Sequence, residues 1–114
     1  MKTSPTQRSL KYLRDCGWIA CVVEKYNRFA KVRQDAFGFG DILACRVIRL
    51  SQLRQIALVQ TTTATHMSDR KKKILSLPTY LDWKTAGGLI ILHGWSKKGP
   101  RGKRKTWEVV EEIL

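Results

Sequence analysis

The sequence predicts an α/β fold: one domain with a central mixed β-sheet of about five strands flanked by helices. Apolar, β-rich runs recur at residues 18–23, 41–45, 55–60, 89–93 and 107–111. Segments with helical spacing stand before the first run and between the third and fourth. A chain of 114 residues has room for one domain, spanning residues 1–114.

Ser4-Pro5 opens the first element as an N-cap followed by proline at the first helical position. Leu10 and Leu13 among Arg8, Lys11 and Arg14 make it a short amphipathic helix, which Gly17 is placed to end. Residues 18–23 follow, long enough for a central strand. The polar, glycine-punctuated stretch 24–40 reads as a loop or irregular hairpin. Residues 41–45 and 55–60 are the next two strands, joined by a turn bearing Arg46, Arg49 and Arg54. A helix starts at about Ser68, with Ser68 or Asp69 as cap, and carries Arg70, Lys71, Lys72 and Lys73. Pro78 interrupts it, and residues 79–86 form a second helical piece. Gly87-Gly88 precede the strand 89–93, the Gly/Pro/Lys-rich segment 96–105 reads as a mobile loop, and 107–111 closes the chain as an edge strand.

Twenty-two Lys+Arg against nine Asp+Glu give a net charge of +13. The two halves share it evenly, with 11 basic and 4 acidic groups over residues 1–65 and 11 and 5 over residues 66–114. That pattern predicts a basic folded surface rather than a detachable arm. Self-repulsion on this scale calls for an anionic partner, and nucleic acid is the commonest. No apolar run approaches the roughly 18 residues of a membrane span, and residues 1–15 are too polar for a secretion signal. The expected setting is the cytoplasm, or a host cell's interior, with no membrane partner. Cys16, Cys21 and Cys45 form no C-x-x-C pair and read as reduced, buried filler; His66 and His93 sit in no zinc-ligand spacing. Trp18, Trp83, Trp95 and Trp107 read as packing residues, with base stacking the rarer role.

Polar residues on the strands carry the chemistry. Asp41 starts an otherwise apolar strand, Gln60 ends another, and Thr62 lies two residues on, on the same side of that strand. A carboxylate and an amide oxygen on adjacent strand ends suit a hard cation such as Mg²⁺. Such an ion activates water and stabilises charge on a scissile phosphate. The bland readings are a turn cap for Asp41, a solvent ion pair for Glu24, a turn residue for Asp35 and a solvated face for 70–73.

The segments YLRDCGW (12–18), IACVVEK (19–25), RQDAFGFGDILA (33–44), IALVQTT (56–62) and SDRKKKI (68–74) resemble the PD-(D/E)XK nuclease superfamily. The likeness is closest to its small Holliday-junction-resolvase-like and phage nuclease-like members, and it covers most of residues 6–75. It implies a restriction-endonuclease-like fold and a metal-dependent DNA endonuclease that acts on Holliday junctions or other branched DNA. Such an enzyme uses Mg²⁺ or Mn²⁺, needs no small-molecule cofactor and works as a homodimer. By position Asp41 is the metal-ligating aspartate, Gln60 takes the acidic place of the D/E-x-K motif, and Thr62 takes its lysine. Thr6 and Gln7 stand where resolvases carry a first-helix glutamate, so Glu24, or Asp35, would supply the second carboxylate. The missing cation falls to Lys25, Arg33 or Arg70, with Lys25 favoured because it ends the neighbouring strand. Arg70, Lys71, Lys72 and Lys73 would hold the DNA backbone, helped by Lys97, Lys98, Arg101, Lys103, Arg104 and Lys105. Two rivals stand beside this expectation: a non-catalytic DNA-binding protein on a degenerate nuclease scaffold, and an RNA- or ribosome-associated basic protein.

Overall fold

A computed structural model describes residues 3–114. Helix α1 (Pro5–Asp15) opens with the Ser4 hydroxyl accepting the Gln7 N–H at 3.2 Å, and Gly17, at φ +92°, follows its end. Next come β1 (Ile19–Val22), a hairpin of β2 (Lys25–Asn27) and β3 (Val32–Gln34), then β4 (Ile42–Ile48) and β5 (Leu53–Thr63). A 3₁₀ turn (Ala64–His66) leads into α2 (Met67–Ser76) and α3 (Pro78–Thr85), and β6 (Leu89–Lys98) and β7 (Thr106–Ile113) complete the chain. Five strands form one sheet in the order β1-β4-β5-β6-β7. β5 and β6 are parallel and the other pairs antiparallel, so the fold is α/β with a mixed sheet. The parallel pair needs a crossover, which α2 and α3 provide.

Each face of the sheet has its own core. Leu10 and Leu13 of α1 pack with Trp18, Ala20, Ile42, Ala44, Ala57, Val59 and Ile91. On the other face Ile74 of α2 joins Phe39, Leu58, Ile90 and Leu92, with Trp83 of α3 beside them. Because both faces are covered there, residues 57–62 of β5 are buried without alternation. Under α1 lies a polar insert. The Trp95 indole N–H donates to Ser9 Oγ (2.8 Å), Ser9 Oγ meets His93 Nδ1 (2.8 Å), and His93 Nε2 meets Glu111 (2.7 Å). The hydrogen bond from His93 is the largest influence holding the Glu111 carboxyl below the usual range.

Several sequence expectations need correction. The run 18–23 is not a central strand: β1 is a four-residue edge strand, and only Ala20 of its four residues is buried. Ile19 and Cys21 face solvent because α2 and α3 pack over β5 and β6 and leave that corner of the sheet uncovered, while Val22, on the α1 face beside Ile42, is 38% exposed. The cysteines are not core filler; Cys16, Cys21 and Cys45 are all exposed. Neither Ser68 nor Asp69 caps α2, which starts one residue earlier from His66 with no side-chain capping bond. Lys97 and Lys98 belong to β6, so the loop expected over 96–105 shrinks to the turn of a β6–β7 hairpin. Trp107 departs from the packing role: it stays 42% exposed on β7. No helix among the described residues is long and apolar enough to cross a membrane.

Candidate metal centre

The site grows from the register of one hairpin. Ile42 pairs with Val59 across β4 and β5, so the residues next in line, Asp41 and Gln60, come side by side on one face. Two backbone bonds fix Asp41: its N–H donates to the Val59 carbonyl, and its own carbonyl accepts the Val23 N–H, both at 2.9 Å. Glu24, the residue after Val23, therefore leaves β1 beside Asp41. The β2–β3 hairpin returns Asp35 to the same place through a tight turn, where the Ala36 N–H donates to Gly40 at 2.8 Å. One carboxylate oxygen each from Glu24, Asp35 and Asp41 lies within 4.8 Å of the others.

Asp41 is nearly enclosed, at 4% exposure, and its Oδ2 accepts three hydrogen bonds. They come from Gln60 Nε2 (2.9 Å), the Thr61 N–H (2.8 Å) and Thr61 Oγ1 (3.2 Å). Thr61 Oγ1 also lies 2.9 Å from Thr6 Oγ1. With the Thr61 hydroxyl proton directed at Asp41, the Thr6 hydroxyl donates, giving a relay from α1 to the carboxylate. Burial is the main force on this acid and pushes its pKa up to about 8. Asp35 and Glu24 push the same way, against the Thr61 backbone N–H.

These groups floor an open cleft of about 420 Å³. Ser4, Pro5 and Thr6 at the start of α1 form one wall, and His66, Arg70 and Lys73 another, with Arg33 at the acidic rim. Arg70 and Lys73 share a helix face by their three-residue spacing. Arg33 reaches Glu24 at 3.6 Å. The structure thus brings Asp41, Gln60, Glu24, Thr62, Arg33 and Arg70 to one cleft.

It leaves other expected residues outside. Lys25, favoured as the missing cation, is exposed on β2 opposite Gln34 and does not line the cleft, because the hairpin turns it outward. Lys71 is engaged with Glu112 of β7, and Lys72 points to solvent. Lys97, Lys98, Arg101, Lys103, Arg104 and Lys105 lie on the β6–β7 hairpin, all exposed. Sequence reasoning missed the cleft roles of Thr61 and His66 and placed Asp35 behind Glu24. Thr61 was legible only as the residue after Gln60; no local pattern marks His66.

The donor set tests well against a hard divalent cation. Three carboxylates converge, one is buried, and Gln60 commits its N–H to Asp41, which leaves its carbonyl oxygen for a cation. Comparison of the chain with protein-family models, with curated proteins and with solved structures finds no match.

Proposed function

We propose that this chain is a metal-dependent DNA endonuclease of the PD-(D/E)XK kind, hydrolysing phosphodiester bonds in branched DNA. The observation that carries this reading is the convergence of Glu24, Asp35 and a buried Asp41 in a cleft whose walls carry Arg33, Arg70 and Lys73. An acidic floor with cationic walls, on a protein of net charge +13, suits a metal ion meeting a phosphate. Asp41, Glu24 and Asp35, with the Gln60 carbonyl, would hold Mg²⁺ or Mn²⁺, which supplies an activated water and Lewis-acid stabilisation of the phosphate. Thr61 fixes the Asp41 carboxylate, and Thr6 fixes Thr61. Thr62 carries no charge, so the cationic work falls to the opposite wall. Arg70 and Lys73 orient the phosphate, while Arg33, already drawn to Glu24, is the less available cation. Resemblance adds a homodimer, since a branched junction offers paired strands to cut.

Labelled four-way, flap and linear DNA incubated with Mg²⁺ or Mn²⁺ tests the proposal, with Asp41→Asn beside the wild type. Metal-dependent cuts that vanish in the variant are expected. The neutral side chain at position 62 favours one rival, a DNA-binding protein that has lost catalysis. Tight binding without cutting on all three substrates would establish that rival instead.

A further inference from the structure

Trp107 is unusual among the four tryptophans. Trp18 and Trp95 are buried, and Trp83 is half-buried with its indole N–H donated to the Leu89 carbonyl at 2.7 Å. Trp107 instead keeps 42% of its surface exposed on the edge strand β7. The Arg8 guanidinium carbon lies 3.4 Å from its ring centroid and Lys97 Nζ lies 5.3 Å away. Arg8 has no acidic partner among the described residues, and its Nε is buried without a hydrogen bond. A groove of about 280 Å³ beside this pair is lined by Tyr12 and Trp95 and by Lys11 and Asp15, which pair with each other at 2.7 Å. The Tyr12 and Trp95 rings meet edge-on at 6.3 Å.

Two facts of register put this groove beside the cleft. β6 runs parallel to β5, and Thr63, at the cleft end of β5, pairs with Trp95; the Lys97–Trp107 pair lies two residues further along. On α1, Thr6 lines the cleft and Arg8, about 200° further around the same first turn, lines the groove, so the path between them runs around the start of the helix. A chain of phosphates leaving the cleft past the start of α1 reaches Arg8, Lys97 and the exposed part of the indole that they flank. Cations beside an exposed ring suit a single strand, whose unpaired bases stack while its phosphates meet charge. A duplex, with its bases already stacked, gains nothing from the ring.

We infer that Trp107 and Arg8 form a stacking subsite for an unpaired nucleotide, so that the strand bound beside the cleft is single-stranded there. The inference deepens the nuclease proposal by naming its substrate class, and it rests on that proposal only for the cutting itself.

The test measures binding alone, in EDTA. Fluorescence anisotropy is read with a labelled oligo(dT) of about 12 nucleotides and with a blunt duplex of similar length, for wild type, Trp107→Leu and Trp107→Phe. Trp107→Leu is expected to weaken oligo(dT) binding about 5- to 150-fold. Duplex binding should change less than about twofold, and Trp107→Phe should keep most of the single-strand affinity. A wild type that does not bind oligo(dT) overturns the subsite, as does equal loss on both ligands, or none on either. If Trp107 merely straps β7 to α1, Trp107→Leu lowers the melting temperature and weakens both ligands together, which also overturns it. Selective stacking in a protein that never cuts DNA would sink the nuclease reading and leave the subsite standing.

Discussion

Asp41 has a measurable thermodynamic signature. Its folded-state pKa of about 8 lies above the 3.8 of an ordinary aspartate, so between those values the native state binds more protons than the unfolded chain. Stability of the metal-free protein therefore falls as pH rises from about 4 to 8, by several kcal/mol at most. Urea unfolding across that range checks this, and Asp41→Asn should flatten the slope and stabilise the protein at pH 8. A wild-type stability rising over the window would contradict it. The same residue shows what was legible in advance. An acid opening an apolar run and an amide nineteen positions on are what a hairpin brings together, and the two are hydrogen-bonded at 2.9 Å. Lys25 and Arg33 could not be ranked that way, because their directions depend on how the β2–β3 hairpin sits on the sheet.

At the level of the element, α2 turns four consecutive basic residues into three different environments. Arg70 and Lys73 face the cleft, Lys71 meets Glu112, and Lys72 is exposed to solvent. Replacing Arg70 or Lys73 by alanine should reduce the slope of log K against log salt by about 1 and weaken DNA binding about 5- to 20-fold. Lys72→Ala should do much less, and equal effects at all three positions would argue against a cleft-facing role. Element type was readable wherever an apolar run was bounded by glycine or proline, as at Gly87-Gly88 before β6. Position within the sheet was not. Residues 19–22 have the composition of a central strand, yet which strand is covered depends on where the α2–α3 crossover packs, and that is decided far along the chain. The α2 start was read to within a residue but its cap was not: the 3₁₀ turn runs into the helix before Ser68 is reached, so neither Ser68 nor Asp69 stands at the cap position.

Taken whole, the molecule spreads its excess positive charge over α1, the β4–β5 turn, α2 and the β6–β7 hairpin, while leaving β1 an outer edge with Ile19 and Val22 exposed. Like charge opposes pairing of two free copies, and an anionic ligand offsets it. The proposed homodimer should therefore assemble on branched DNA. Light scattering of the complex is expected to count two 13.1 kDa chains per four-way junction, and a single chain per junction would exclude it.

The backbone grip on Asp41 has a kinetic corollary. Its carbonyl closes one strand pairing and its amide another, while Asp35 arrives only after a separate hairpin has folded back. The acid trio thus needs three pairings in place at once: a chain whose β1 or β5 has yet to zip, or whose β2–β3 hairpin is open, lacks at least one of its carboxylates. Whatever these acids do together, a nascent or frayed copy cannot do, so their joint chemistry doubles as an inspection of the finished sheet.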